Sequence, residues 1–218
     1  TAVIALSGTL FIEGIVTIRS AVPSTKAELT GRSFWGSLIW VRPHAKLTLL
    51  DIVLRNSKAD WGGGLVLLSG AYLWMTHCEV RNNGCGEYEC DESQGGGVVL
   101  SGGYAWITNT TFIGNVAVLA GGAVWVGESA VTVMQDCTFR GNEIHGHGAG
   151  GAISAEDGVC VTIRSSSFEE NYAVSGGAAI AVSAGDMSSL AIYDSSFANN
   201  YGETTGAVSA QDSAVSIS

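Results

Sequence analysis

Few residues in this chain have the types and spacing that chemistry needs. The first group is Glu143, His145 and His147 in one short stretch, with Asp91 or Glu92 as further ligands from another stretch. Imidazole and carboxylate together suit zinc or a similar ion. A polar turn is the plainer reading of Glu143-x-His-x-His, so no metal and no other cofactor is expected. Glu87, Glu89, Asp91 and Glu92 crowd carboxylates that could bind calcium, but neither EF-hand nor nonapeptide spacing is present. Asp136 and Asp194 recur at one repeat position, with Ser165 between them. That places them about 9.6 Å apart, within the loose range of an inverting carboxylate pair. The plainer reading is that each caps a turn, as Asn109 and Ser165 would.

Aromatic placement carries more information. Trp74 and Trp106 fall at equivalent positions of successive repeats. With Leu65, Val98, Val124, Ile153 and Val208 directed inward, Val66, Val99, Trp125, Ser154 and Ser209 point outward by alternation. Trp74, Trp106, Val66, Val99 and Trp125 are therefore the expected binding residues, on an outer face that is apolar in the earlier repeats. Its expected occupants are another protein chain, missing segments of this chain, or a glycan stacked on the rings. Changing both Trp125 and Val99 to Ser is expected to abolish association without unfolding. An outward threonine array of the ice-binding kind is broken, because Thr132 and Thr162 meet Trp74 and Trp106 at that position.

The elements that position these residues follow from a repeat. Asn109-Thr-Thr-Phe112-x-x-Asn115 precedes Gly121-Gly-Ala123, and Asp136-Cys-Thr-Phe139-x-x-Asn142 precedes Gly150-Gly-Ala152. Ser165-Ser-Ser-Phe168-x-x-Asn171 precedes Gly176-Gly-Ala178, and Asp194-Ser-Ser-Phe197-x-x-Asn200 precedes Gly206-Ala207. Weaker copies read Val80-x-x-Asn83 with Gly95-Gly-Gly97, and Val53-x-x-Asn56 with Gly62-Gly-Gly64. A sustained period near 28 residues means a solenoid, whose repeats bury their apolar faces on one another. Short alternating runs such as Val124-Trp-Val126 and Val131-Thr-Val-Met134 read as strands.

The expected fold is all-β, a right-handed parallel β-helix of about seven to eight coils. One domain over residues 1–218 is expected, either a stretch of a longer solenoid or a chain that stacks end-on with others in a larger filament, because neither end reads as a polar cap. Phe residues should stack inside. Asn56, Asn83, Asn115, Asn142, Asn171 and Asn200 should form a ladder along one corner. Two corners are longer than the rest, at residues 84–94 and 143–149, two coils apart on one edge.

The alternation of Phe-x-x-Asn with Gly-Gly-Ala-(Ile/Val) resembles the repeats of the polymorphic outer-membrane proteins, autotransporter-type surface adhesins with a right-handed β-helical passenger. The clear match runs from Asn109 to Ala207, and degenerate copies run from Ser37 to Gly97. The resemblance implies a non-enzymatic extracellular or cell-surface scaffold or adhesin. The alternative is a carbohydrate-active β-helix enzyme, a polysaccharide lyase or glycoside hydrolase.

Composition narrows the partners. Twenty acids against ten bases give a net charge of −10, which argues against nucleic acid and anionic membrane surfaces. No run approaches the roughly 18 apolar residues of a membrane-inserting helix. Among five cysteines, Cys78 and Cys137 share a repeat position two coils apart, about 9.6 Å, too far for a disulfide. Cys160 sits in an apolar run, and all three are expected to be buried. Cys85 and Cys90 flank an inserted loop, and a local disulfide there suits an extracellular setting. Asn109-Thr-Thr111 is a glycosylation sequon, relevant only in a eukaryotic secretory pathway.

Overall fold

The computed structural model describes residues 2–22, 25–31, 34–85, 90, 92–183 and 188–218. One coil shows the plan. Val124–Gly127, Val131–Gln135, Thr138–Arg140 and Glu143–Ile144 follow one another as strands, and Ile153–Glu156 begins the next turn directly beside Val124–Gly127. Every strand pairs in parallel with its counterpart one coil away. The result is a parallel β-helix with, among the described residues, three eight-stranded sheets and a fourth of four strands. Sheet I runs from Val3–Ala5 to Ser196–Ala198, sheet II from Leu10–Ile12 to Val208–Ala210, and sheet III from Ile15–Arg19 to Ala214–Ile217. Sheet IV joins Val116–Ala117, Glu143–Ile144, Tyr172–Ala173 and Tyr201–Gly202.

Alternation puts one set of side chains inside each sheet. The inward column of sheet I reads Leu29, Leu54, Val80, Phe112, Phe139, Phe168 and Phe197. The four Phe rings stack at centroid spacings of 4.8, 4.7 and 4.9 Å, within 7° of parallel. Aliphatic residues of sheets II and III, such as Val124, Val126, Met134 and Ile163, fill the rest of a single continuous core.

Side chains also close the corners. Asn115 Nδ2 donates to Val80 O at 2.9 Å in the coil before and to Asn142 Oδ1 at 3.0 Å in the coil after. Asn115 Oδ1 accepts from the backbone and side-chain nitrogens of Asn83, each at 3.2 Å. Asn142 repeats this with Phe112 O and Asn171, and Asn171 with Phe139 O and Asn200. Every polar atom of the Asn115 amide is therefore satisfied although the residue is fully buried.

Asn56 does not belong to this ladder. Leu54, not Val53, pairs with Val80, so Ser57 takes the ladder position and donates its N–H to Asn83 Oδ1 at 3.2 Å. Asn56 falls one residue earlier, on the left-handed corner it shares with Asn82, Gly114, Gly141, Glu170 and Asn199, where φ lies between 53° and 58°. Its Nδ2 is buried without a hydrogen-bond partner. The degenerate Val-x-x-Asn pattern matched the wrong residue by one because Val53-Leu54 offers two aliphatics in succession.

A second corner ladder was not read from the sequence as a ladder. Cys78, Thr110, Cys137, Ser166 and Ser195 each turn a thiol or hydroxyl onto the carbonyl two residues back, at 3.3, 2.9, 3.3, 2.7 and 2.8 Å. Thr110, Ser166 and Ser195 also accept an N–H from the coil before. The residue ahead of each is left-handed, and this is where His77, Asn109, Asp136, Ser165 and Asp194 stand, with φ of 46–54°. Asp136 and Asp194 thus hold turns, as the plainer reading required. The glycine corner is held by close approach: a Cβ at Gly122 would overlap the carbonyl oxygen of Gly151. Gly177, not Gly176, aligns with Gly150 there, because Ala152 N–H bonds Ala179 O.

Replacing Asn142 by Ala should remove about 3 kcal/mol or more of stability, because four polar groups lose partners in a closed corner. Asn56→Gly should change stability by under about 0.5 kcal/mol, since its Nδ2 makes no hydrogen bond among the described residues and glycine accepts the left-handed backbone. Urea unfolding of the two variants checks the contrast.

Candidate functional site

Two aromatic surfaces stand on the outside of this stack. On sheet III, Tyr72 pairs with Tyr104 and Trp74 with Trp106 in register. Their rings form a two-by-two stack, with Trp74–Trp106 centroids 5.5 Å apart at 6° and Tyr72–Tyr104 5.1 Å apart at 16°. Tyr72–Trp74 and Tyr104–Trp106 close the square at 5.9 and 6.4 Å. Lys46 in the preceding coil sits 5.1 Å from the Tyr72 centroid, a cation–π contact. Trp74 and Trp106 each remain 37 % exposed. Rings stacked so closely turn edges, not faces, to solvent. The sequence located both tryptophans; it missed Tyr72 and Tyr104, two residues earlier on the same outward face, which period-two counting finds. That counting also corrects Thr132: its neighbours are Ala105 and Val161, it points inward and is buried, and Val133 follows Trp106 in the outward column.

The outward column of sheet II runs Phe11, Trp40, Val66, Val99, Trp125, Ser154, Ala181 and Ser209. Val66, Val99 and Trp125 do point outward, yet they are not a surface. Val66 and Val99 are fully buried and Trp125 is 5 % exposed, packed with Ala120, Trp40 and Leu68. The chain covers its own face: Trp61, Gln94, Ala120 and Ala149, each just ahead of a glycine corner, bridge in sequence across it. Trp61 leans on Trp125 at 6.4 Å. The Trp125 indole overlies Gly127, where a Cβ would collide with the ring, and its Nε1 has no partner. Alternation gave the direction of these side chains; only the path of the corner segment decided that they are covered.

That cover stops short of the first coils. Phe11, Trp35, Trp40 and Trp61 line a cleft of about 320 Å³ together with Thr9 and Asp60. Phe11 and Trp40 meet edge to face at 75°, 6.1 Å between centroids. Arg42 lies 4.6 Å from the Phe11 centroid. Phe11, Trp35 and Trp61 are 48, 54 and 42 % exposed. Sequence reading does not join Trp40 to Phe11, Trp35 and Trp61, because Trp35 and Trp61 come from corners outside the strand period.

Cys85 and Cys90 lie beside Asp60 at this cleft. Cys85 and Cys90 form a disulfide with Cα atoms 5.9 Å apart, packed under Val118. Ser93 Oγ donates to Cys85 O at 3.1 Å and accepts Val118 N–H at 2.8 Å, which ties the corner to the next coil. The Asp60 carboxylate and both sulfurs lie within 4.8 Å of one another. With the cysteines bonded to each other, that trio offers a metal one carboxylate and no thiolate. Glu87, Glu89 and Asp91 lie outside the described residues. Glu143 and His145 pair side chain to side chain at 2.9 Å, both exposed or nearly so, and His147 joins them in no three-ligand cluster among the described residues.

Asn109 is exposed on its left-handed corner. Cys160 corrects the expectation of three buried thiols: it pairs with Val131 and Ser189, points outward and is exposed, between inward Val159 and Val161. Cys78 and Cys137 are buried, and burial pushes their thiols up to about 11 and about 12.

A family model described as a right handed beta helix region matches residues 23–218. No curated protein matches the chain by sequence.

Trp125→Ser should cost about 3–5 kcal/mol in thermal or urea unfolding, because it opens a cavity beneath the corner segment. The buried thiols predict an alkaline effect. Their folded pKa values lie above the ordinary thiol value of 9.0, so the unfolded chain loses protons first as pH rises. Stability should be complete below pH 9, fall by about 1.4 kcal/mol per pH unit for each thiol above it, and level off near pH 11–12. Cys78→Ser with Cys137→Ser should flatten that fall in urea titrations, since Ser166 and Ser195 already serve the same corner.

Proposed function

The chain belongs to the right-handed β-helix family, and from that premise we propose that it is a non-enzymatic extracellular or cell-surface scaffold, an adhesin that presents a rigid aromatic face to another macromolecule. The observation that carries this reading is the outward square of half-buried Tyr72 with exposed Trp74, Tyr104 and Trp106. Four large rings at the surface of one sheet lose free energy to water unless a partner covers them. Stacking within the square fixes their positions before any partner arrives, so little rotamer entropy is spent on binding. Rigidity comes from below, where Leu73, Met75 and Ile107 are wholly buried in the core.

The carboxylates of the sheet I face fit the same reading. Glu28 is held by Arg55 at 2.5 Å and Arg81 at 3.7 Å, and Glu79 by Arg81 at 2.6 Å. Carboxylates engaged in ion pairs with guanidinium groups fit a structural part on the sheet face. The surface setting accords with the Cys85–Cys90 disulfide and the net charge of −10.

The test has two arms. Beads coated with the protein should adhere under flow to surfaces bearing extracellular-matrix proteins or glycans, and Trp74→Ala with Trp106→Ala should abolish adhesion without lowering Tm. Incubation with a polysaccharide panel should release no new reducing ends or unsaturated products. Product release from any polysaccharide would overturn the non-enzymatic reading in favour of a carbohydrate-active enzyme, and adhesion unchanged in the double variant would remove the aromatic square from it.

A further inference from the structure

The cleft of Phe11, Trp35, Trp40 and Trp61 is separate from the aromatic square, and its chemistry is different. We propose that it binds a quaternary ammonium group of the choline type, with the rings as walls and Asp60 as counter-ion.

The geometry distinguishes this ligand from a sugar. A pyranose stacks its flat face on one broad ring. Here Phe11 and Trp40 stand 75° apart, two walls of a corner, and Trp35 and Trp61 enter from neighbouring segments. Walls at steep angles surround a compact, rounded group, and each ring face within about 6 Å of the charge adds attraction. Tryptophan has the strongest such face, and three of the four rings are tryptophan. A volume of about 320 Å³ leaves room for a trimethylammonium group and the short chain behind it.

Charge points the same way. Asp60 is the charged residue among those lining the cleft, and its carboxylate makes no ion pair among the described residues. Arg42 already uses one side of Phe11 as a cation–π partner, which leaves the three tryptophans and Asp60 for an incoming cation. A quaternary nitrogen carries no N–H and so asks for no directed hydrogen bonds. The cleft supplies few: the Ser37 hydroxyl at its floor is committed to Trp61 O at 2.5 Å. A saccharide would leave hydroxyls unpaired against such a lining. The Cys85 and Cys90 sulfurs lie within 4.8 Å of the Asp60 carboxylate.

Calorimetric titration with choline chloride tests the proposal, with 3,3-dimethylbutan-1-ol as the neutral isostere and chitooligosaccharides as the sugar control. Choline should saturate one site, and the neutral isostere should bind at least about tenfold more weakly. Asp60→Asn and Trp35→Ala, both at exposed positions, should each weaken choline by about tenfold while Tm stays unchanged. Sedimentation with phosphatidylcholine vesicles separates the two sources of the group. Vesicle binding reversed by free choline assigns a lipid headgroup, and choline binding without vesicle binding assigns a soluble ligand. The proposal is overturned if the isostere binds as tightly as choline, if only the oligosaccharide binds, if Asp60→Asn has no effect, or if choline fails to saturate a protein whose Tm is normal. None of these outcomes bears on adhesion through Trp74 and Trp106, which is read separately.

Discussion

The interaction on which this structure depends is the buried asparagine amide shared between coils. An extended chain that turns three or four times per coil leaves backbone groups open at each turn, and a closed tube has no water inside to take them. A primary amide offers two donors and two acceptor sites at once. Asn115 therefore reaches back to Val80 O, forward to Asn142, and receives both nitrogens of Asn83. Aspartate would lack the donors, and a serine hydroxyl, as Ser57 shows at the ladder's edge, reaches only Gly36 O in the coil before. The Ser, Thr and Cys ladder at the other corner needs less: one donor meets the carbonyl two residues back, and Thr110, Ser166 and Ser195 accept one N–H from the coil before.

Once coils are locked in register, every side-chain position becomes a column at the spacing of paired strands. Inside, that spacing suits planar rings, and Phe112 to Phe197 stack within 7° of parallel. The same spacing acts outside on Trp74 and Trp106, which stack at 6° but stay in contact with water. One geometry thus produces a core in one column and a preorganised contact surface in another. The difference is only the direction of the Cβ bond.

The outer face of sheet II shows how a corner segment can turn such a column into a second interior. Trp61, Ala120 and the neighbouring glycines lie over Val66, Val99 and Trp125, and close backbone approach at the glycines makes that possible. Where the cover ends, at Phe11 and Trp40, the column opens as a cleft and takes Asp60 and Trp35 as its rim. Surface and interior along this face are therefore set by the corners and not by the strands.

The sequence by itself determined the period, the parallel coil, the Phe stack, most of the Asn ladder, and the equivalence of Trp74 with Trp106. Those follow from alternation and recurrence, which are local and additive along the chain. It put Asn56 and Thr132 one residue out of place, because each sits where the repeat is degenerate and neighbouring residues fit the pattern equally well. Cys160 misled for a related reason: an apolar neighbourhood in sequence says nothing about which side of a strand a residue takes until the register is known. Only the tertiary structure decided that Val66, Val99 and Trp125 are covered, that Cys85 and Cys90 bring their corner against Asp60, and that Phe11, Trp35, Trp40 and Trp61 share one cleft. These depend on the paths of irregular corners, which have no period to read and are fixed by packing against a coil laid down elsewhere in the chain.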